Sequence, residues 1–308
     1  MRWLGMLALL MVTSAVGQEL SGTLSIAGSD TLAGAVTRSA EAFQSAHPKV
    51  HVQVQTLGSA SAVAALLDGA VDIGSMSRDL SNAEGDSLTR YSGSAARQVA
   101  IARDGLVVFV HPDNPLRQIS LQQIDAVFAK SPSCGLQPKR RWSDLGVQLA
   151  GLPADTQILP IGRNAASGTH AFFQQAALCG DAYRDDVVDW PGNGAVVHAV
   201  AENREAIGYA AAGSVGAPVR ALGIVDQAGN IISLDAESLR NGRYPLGREL
   251  YLVANRDARG RLRPLTLAFM AYMLSDAAQP GLRREGLQTI SDIERAAAVA
   301  TLSESDHD

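Results

Sequence analysis

The sequence predicts an α/β fold in which a parallel sheet is flanked by helices, and three observations carry that prediction. Short β-like runs alternate with helix-like runs along the chain, the order that places parallel strands side by side with helices on the sheet faces. No repeat, heptad or low-complexity block interrupts this alternation. The 308 residues are enough for two domains of ordinary size or one large α/β domain.

The elements follow in order. Leu24 to Ala27 reads as a strand after Gly22. From Thr31 to Ala46 the residues Leu32, Val36, Ala40 and Phe43 recur on one helical face, and Pro48 stops the run. Val50, Val52 and Val54 alternate with His51, Gln53 and Gln55, a strand between two environments. Ser61 to Leu67 is a short helix ended by Gly69, Val71 to Gly74 a strand, and Val99 to Val110 a long apolar run. Asn114-Pro115 marks a turn and Ile119 to Ala129 returns to helix. Ile158 to Ile161 is a strand leading into a polar turn, and His170 to Leu178 is the helix after it. Ala206 to Ala210 and Leu250 to Ala254 are strands. Leu265 to Leu274 is an amphipathic helix, and Ser303 to Asp308 a polar, disordered tail.

The first seventeen residues predict the compartment. Arg2 precedes an apolar run from Leu4 to Val12, with small residues at Ala15 and Gly17 and a polar switch at Gln18. This is the pattern of a signal peptide, residues 1–17, cleaved near Gly17/Gln18, and the apolar run is too short to span a bilayer. A periplasmic or secreted protein is expected. Its 26 basic and 31 acidic side chains give a net charge of −5, which loss of Arg2 would make more negative. That balance argues against nucleic acid and anionic membrane surfaces as partners, so any anion site must be built locally. Cys134 and Cys179 are an even pair, which in an oxidising compartment favours a disulfide, with two buried thiols as the alternative. Without nearby His they lack the ligands of a metal site, and no metal or cofactor is expected.

Three places share one design: a strand ends, a turn rich in Ser, Thr and Gly follows, and a helix begins. They are Gly28-Ser29-Asp30-Thr31, Gly58-Ser59-Ala60-Ser61 and Ser167-Gly168-Thr169. Each offers backbone N–H groups, hydroxyls and the positive end of a helix dipole, a combination suited to an anion. Taken singly, each is an ordinary N-cap. Arg163, four residues before Ser167, adds a planar fork that matches an oxyanion bidentately. Ser75-Met76-Ser77-Arg78 is a further turn after a strand.

Taken as an ordered set, these motifs resemble the phosphate-binding subunit of bacterial phosphate ABC transporters. The set is Gly28-Ser29-Asp30-Thr31, Thr56-Leu57-Gly58-Ser59, Val71-Asp72-Ile73-Gly74-Ser75-Met76-Ser77-Arg78 and Arg163-x3-Ser167-Gly168-Thr169. Asp104-Gly105-Leu106-Val107-Val108, His111-Pro112-Asp113-Asn114-Pro115 and Ala206-Ile207-Gly208-Tyr209 add to the likeness, which runs from about Gly22 to Ala277. The resemblance implies an α/β, periplasmic-binding-protein-like fold: two lobes joined by two crossing segments, with the ligand cleft between them. The expected lobes are residues 18–104 with 244–308, and 105–243, hinged near Arg103-Asp104-Gly105 and Pro245-Leu246-Gly247. It also implies phosphate contacts from Thr31 and Leu32, from Ser59, and from Arg163, Ser167, Gly168 and Thr169. A membrane permease is the implied partner, for a monomeric receptor.

Some members of that family carry an Asp where this chain has Ser77, to accept the proton of phosphate and reject sulfate. Others have the Ser77-Arg78 pair seen here, with Arg78 as a second positive charge. Asp72 is too far along the strand to replace that Asp. Asp30, inside the first turn beside Ser29, is the nearest acceptor, or else an N-cap carboxylate. Phosphatase activity, a surface or matrix role, and another tetrahedral oxyanion stand as alternatives. The lipase-like signature Gly85-Asp86-Ser87-Leu88 is set aside, because none of the six His residues has Asp three positions before it.

Overall fold

The computed structural model describes residues 19–216 and 218–303. The expected signal peptide and residues 304–308 of the expected tail lie outside these. β1 (Gly22–Gly28), α1 (Ala33–Ala46), β2 (Val50–Gln55), α2 (Ser59–Leu67), β3 (Ile73–Met76), α3 (Asn82–Ser92) and β4 (Arg97–Val110) come first. Next are β5 (Gln118–Ser120), α4 (Leu121–Phe128), β6 (Leu159–Arg163), α5 (Gly168–Ala177), β7 (Val188–Trp190), α6 (Asn193–Ala201) and β8 (Ala206–Ala211). After β9 (Arg220–Ala221), β10 (Gly223–Val225), β11 (Ile231–Ile232) and α7 (Ala236–Arg240), the chain continues through β12 (Gly247–Ala254) and α8 (Pro264–Leu274). α9 (Gln279–Arg284), β13 (Gln288–Thr289) and α10 (Asp292–Ser303) follow.

The strand order is β2-β1-β3-β12-β4-β8-β6-β7. β1 is parallel to β2 and β3, and β6 is parallel to β7 and β8, as helical crossovers require. The all-parallel expectation is corrected at the centre. β12 runs antiparallel to β3 and β4, and β4 antiparallel to β8. These two strands carry the chain between the halves, so they are not products of βαβ units. β4, 14 residues long, spans roughly 46 Å at 3.3 Å per residue. Its residues Arg97 to Gly105 pair with β12 and Leu106 to Val110 with β8. It therefore changes partner at Gly105/Leu106, directly opposite Gly247.

Packing divides at the same place. One apolar cluster gathers Leu24, Ile26, Val36, Phe43, Leu252, Phe269 and Met273, and another Leu106, Phe128, Trp142, Phe173, Tyr209 and Leu246. The result is two α/β lobes joined by two adjacent strands. Cys134 and Cys179 form a disulfide with Cα atoms 6.0 Å apart and a sequence separation of 45. It ties the segment after α4 to the end of α5, a constraint worth about 4 kcal/mol by loop entropy.

Three expected elements differ in detail. The strand placed at Val71 to Gly74 lies two residues later. The helix placed at Ile119 to Ala129 begins at Leu121, because Ser120 caps it reciprocally with Gln123 after a short strand. The helix expected to be amphipathic, Leu265 to Leu274, is covered along its length. Phe269, Met270, Met273 and Leu274 are buried in the first core, while Leu267, Ala268 and Tyr272 pack against it.

Candidate oxyanion site

The polar turns at the helix starts meet between the lobes. Gly28, with φ of 144°, lets the chain pass against the Ser75 carbonyl, where a Cβ would collide. Ser29 N–H donates to that carbonyl at 2.8 Å, and Gly58 N–H donates to the Gly28 carbonyl at 2.9 Å. The first, second and fourth turns are thereby locked side by side. Ser77 N–H donates to Ser59 Oγ at 3.0 Å, and the two hydroxyls lie 3.3 Å apart. Across the seam, Ala60 N–H donates to the Ala166 carbonyl of the other lobe at 3.1 Å. Thr169 Oγ1 reaches within 3.5 Å of Thr31 Oγ1. Gly168 lies against Ser59 and Ser77, where any Cβ would strike both hydroxyls. Ser29, Ser59, Ser77, Ser167 and Thr169 are all buried.

Ser29 and Ser167 cap their helical turns: their Oγ atoms accept from Thr31 N–H at 3.2 Å and Thr169 N–H at 3.1 Å. Leu32 N–H donates to the Ser29 carbonyl at 3.2 Å, and the Leu32 side chain joins the first core. Thr31, Ser59, Gly168 and Thr169 thus face the seam, while Ser29, Ser167 and Leu32 shape the turns that present it.

Arg163 ends β6, fully buried. Its Nε donates to the Trp190 carbonyl at 3.3 Å and Nη1 to Asn193 Oδ1 at 2.8 Å. Nη2 donates to Asp30 Oδ1 at 2.9 Å and to the Pro191 carbonyl at 2.8 Å. These contacts use four of its five guanidinium hydrogens. Asp30 also accepts from Asn193 N–H at 3.3 Å and Nδ2 at 3.1 Å. In place of an open acceptor for a ligand proton, Asp30 is the counter-ion of Arg163 across the cleft.

The structure does not bring Arg78 to this cluster. Its guanidinium forks onto Glu84 at 2.7 Å. Burial alone would raise the Glu84 carboxyl, but Arg78 and the Ser81 cap outweigh it and hold it below its ordinary value. The second guanidinium is Arg248 on β12, its side chain 1% exposed. Asp104 accepts from its Nη2 at 2.7 Å and Nε at 3.1 Å. Burial pushes the Asp104 carboxyl up, against the pull of Arg248.

Arg248, Asp104 and Asn193 were not among the site residues expected from sequence. Asp104 carried a signal only as part of the crossing-strand motif and the hinge, Gly247 only as a hinge position, and Asn193 was not singled out. His170 directs Nδ1 to the Arg163 carbonyl at 2.7 Å and packs on Tyr183, supporting β6 from behind. Ser87 of the lipase-like signature sits within α3, donating to the Ala83 carbonyl at 2.7 Å.

Two α/β lobes enclosing a buried polar seam define a two-lobed ligand-binding protein. A family model described as PBP superfamily domain matches residues 13–277. The phosphate-binding protein PstS of Pseudomonas aeruginosa is 36% identical over 269 residues, covering 87% of this chain and 83% of that protein. The PstS of Bacillus subtilis is 27% identical over 275 residues, with coverage of 87% and 81%. The chain therefore belongs to the PBP superfamily and, within it, to the family of the phosphate-binding proteins PstS. Among solved structures, a putative phosphate ABC transporter substrate-binding protein of Clostridium perfringens, with bound phosphate, superposes with a TM-score of 0.73 at 25% identity. It covers 88% of this chain and 100% of that one. An ABC-type phosphate transport receptor of Vibrio cholerae shares the fold, with a TM-score of 0.69 at 22% identity and coverage of 87% and 100%.

Proposed function

We propose that this protein binds inorganic phosphate in the cleft between its lobes, outside the cytoplasm, and delivers it as a monomer to an ABC permease. The observation that carries the reading is convergence. Thr31, Ser59 and Ser77 of one lobe meet Gly168 and Thr169 of the other in a buried seam beneath two guanidinium groups. Desolvating a doubly charged oxyanion is costly unless many donors meet it together, and this seam gathers them. The names and bound ligand of the relatives support phosphate as the anion. The expected lobes, residues 18–104 with 244–308 and 105–243, are proposed with one adjustment at the return crossing. Tyr244 and Leu246 pack in the second core, which favours a return crossing at Leu246/Gly247.

The reading is of a receptor and not an enzyme. The relatives are named for binding and transport of phosphate, which supports that reading, and Ser87 of the lipase-like signature is bonded into its own helix. Among the described residues no helix is long and apolar enough to cross a membrane. The test is a thermal-shift panel of phosphate, arsenate, sulfate and molybdate, run beside a chromogenic phosphate ester. Phosphate at a hundred times Kd should add ~2.7 kcal/mol of stability, with no ester hydrolysis. No shift in millimolar phosphate would refute the reading.

A further inference from the structure

Arg248 stands where both lobes can be read at once. On β12 it lies in register with Asp104 of β4, so its fork is anchored on the pair of strands that joins the lobes. From there Nη1 donates to the Ser77 carbonyl and to Thr169 Oγ1, each at 3.0 Å. Nη2 donates to Thr31 Oγ1 at 3.3 Å. One side chain thus ties the crossing strands, a turn of the first lobe and a helix start of the second. The Phe172 ring lies 5.7 Å from the guanidinium carbon.

The consequence lies in the hydroxyl protons. A threonine hydroxyl has one hydrogen to give and two lone pairs to receive. Thr31 Oγ1 accepts from Arg248 Nη2 and from Asn193 Nδ2, each at 3.3 Å. The Asn193 amide is fixed in that orientation, because its oxygen accepts from Arg163 Nη1 at 2.8 Å and Ala211 N–H at 3.3 Å. With both lone pairs facing N–H groups, Thr31 can only donate. Its neighbour Thr169 Oγ1 accepts from Arg248 and lies 3.5 Å from Thr31. If it takes the Thr31 proton, both its lone pairs are filled and its own hydrogen must point outward in place of that of Thr31.

We propose that Arg248, held by Asp104, is the positioning cation of this site: it orients the Thr31–Thr169 hydroxyl pair so that at least one of its protons is aimed at a bound oxyanion, and it links the two lobes while doing so. The inference rests on the cleft being an oxyanion site. Its requirement is for the guanidinium fork. A lysine would keep the charge beside Asp104 but could not reach Asp104, the Ser77 carbonyl and both threonines together.

Calorimetry with inorganic phosphate on Arg248→Lys tests this, with ligand-free melting as the control on folding. Melting should stay near wild type while Kd weakens by about tenfold or more; a wild-type Kd would overturn the proposal. Should Arg248→Lys melt early, Asp104→Asn with Arg248→Gln removes both buried charges together. That double variant should bind phosphate at least about thirtyfold more weakly, and a Kd within about threefold of wild type overturns the proposal. In a Thr31→Val background the same double change should cost at least about threefold less than it does alone. An undiminished cost means that Arg248 does not act through that hydroxyl, and the proposal fails. The wild-type panel separates the two levels. If another oxyanion binds in place of phosphate, these comparisons are run with it. If none binds, the oxyanion reading falls and this inference with it.

Discussion

Asp30→Ala isolates closure from folding. The Asp30 carboxylate makes its side-chain contacts to the other lobe: Arg163 Nη2 at 2.9 Å, Asn193 N–H at 3.3 Å and Asn193 Nδ2 at 3.1 Å. Truncation therefore removes an ion pair and two hydrogen bonds that exist only when the lobes meet. Breaking a fully buried pair costs about 3–5 kcal/mol. Two facts reduce that figure: Asp30 is 21% exposed, and Arg163 keeps its contacts to Trp190, Pro191 and Asn193. A loss of about 2 kcal/mol from the closed state follows. Since ligand binds the closed state, that loss passes into affinity as roughly a thirtyfold rise in Kd. Ligand-free melting should change little, because Asp30 supports neither core. Calorimetric titration with phosphate gives Kd, and small-angle scattering at saturating phosphate shows whether the variant still compacts. A Kd within about threefold of wild type would refute the closure argument. So would a ligand-free melting point that falls as far as the liganded one.

Gly213→Ala should act as a wedge. Gly213, just after β8, lies against Glu285 and Gly286 of the other lobe, and an added Cβ would meet the Glu285 carbonyl. Overpacking of about 1–3 kcal/mol in the closed form alone should weaken phosphate by about tenfold or more, with little effect on ligand-free melting; unchanged calorimetric affinity would count against it. Glu294 should govern part of the acid limb of stability. Arg103 at 2.5 Å and the Ser291 hydroxyl at 2.7 Å hold its carboxyl down to about 2. A depressed carboxyl contributes stability above its unfolded pKa and loses it as pH falls through the folded one. Melting should therefore fall between the ordinary glutamate range and about pH 2, and Glu294→Gln should flatten that fall. An identical pH profile in the variant would exclude this assignment. Cys134→Ala with Cys179→Ala should lower denaturant stability of the second lobe by up to about 4 kcal/mol with phosphate affinity preserved, and an unchanged unfolding midpoint would contradict the entropic account.

Much of the fold is legible because local chemistry and global architecture agree in the outer strands. Val50, Val52 and Val54 alternate on a strand at the sheet edge, and Leu32, Val36, Ala40 and Phe43 make one stripe that packs into the first core. The central pairing is hidden for a physical reason. β12 enters its sheet from a point 144 residues beyond its partner on β4, as the pair Arg248–Asp104 shows, and apolar content does not record strand direction. The all-round burial of Leu265 to Leu274 is hidden for a related reason. The cover on its second face, around Ala298, belongs to α10, a separate helix whose tertiary contact the residues of α8 do not record.

The site divides along the same line. Turns at helix starts are local signals, so Thr31, Ser59, Gly168 and Thr169 could be placed from short motifs. Charges could not, because a guanidinium reaches far from its own backbone and its partner decides what it does. Arg78 follows its turn in sequence, yet Glu84, six residues on, captures it. Arg163 reads as the ligand cation, yet Asp30, 133 residues away, takes part of its fork. Arg248 follows a glycine expected only as part of a hinge, yet it touches Thr31, Ser77 and Thr169. In a buried seam an arginine's role is set by what its counter-ion leaves over: Asp104 leaves Arg248 hydrogens for the Ser77 carbonyl and both threonine hydroxyls. That balance depends on long-range pairing, which short motifs do not encode.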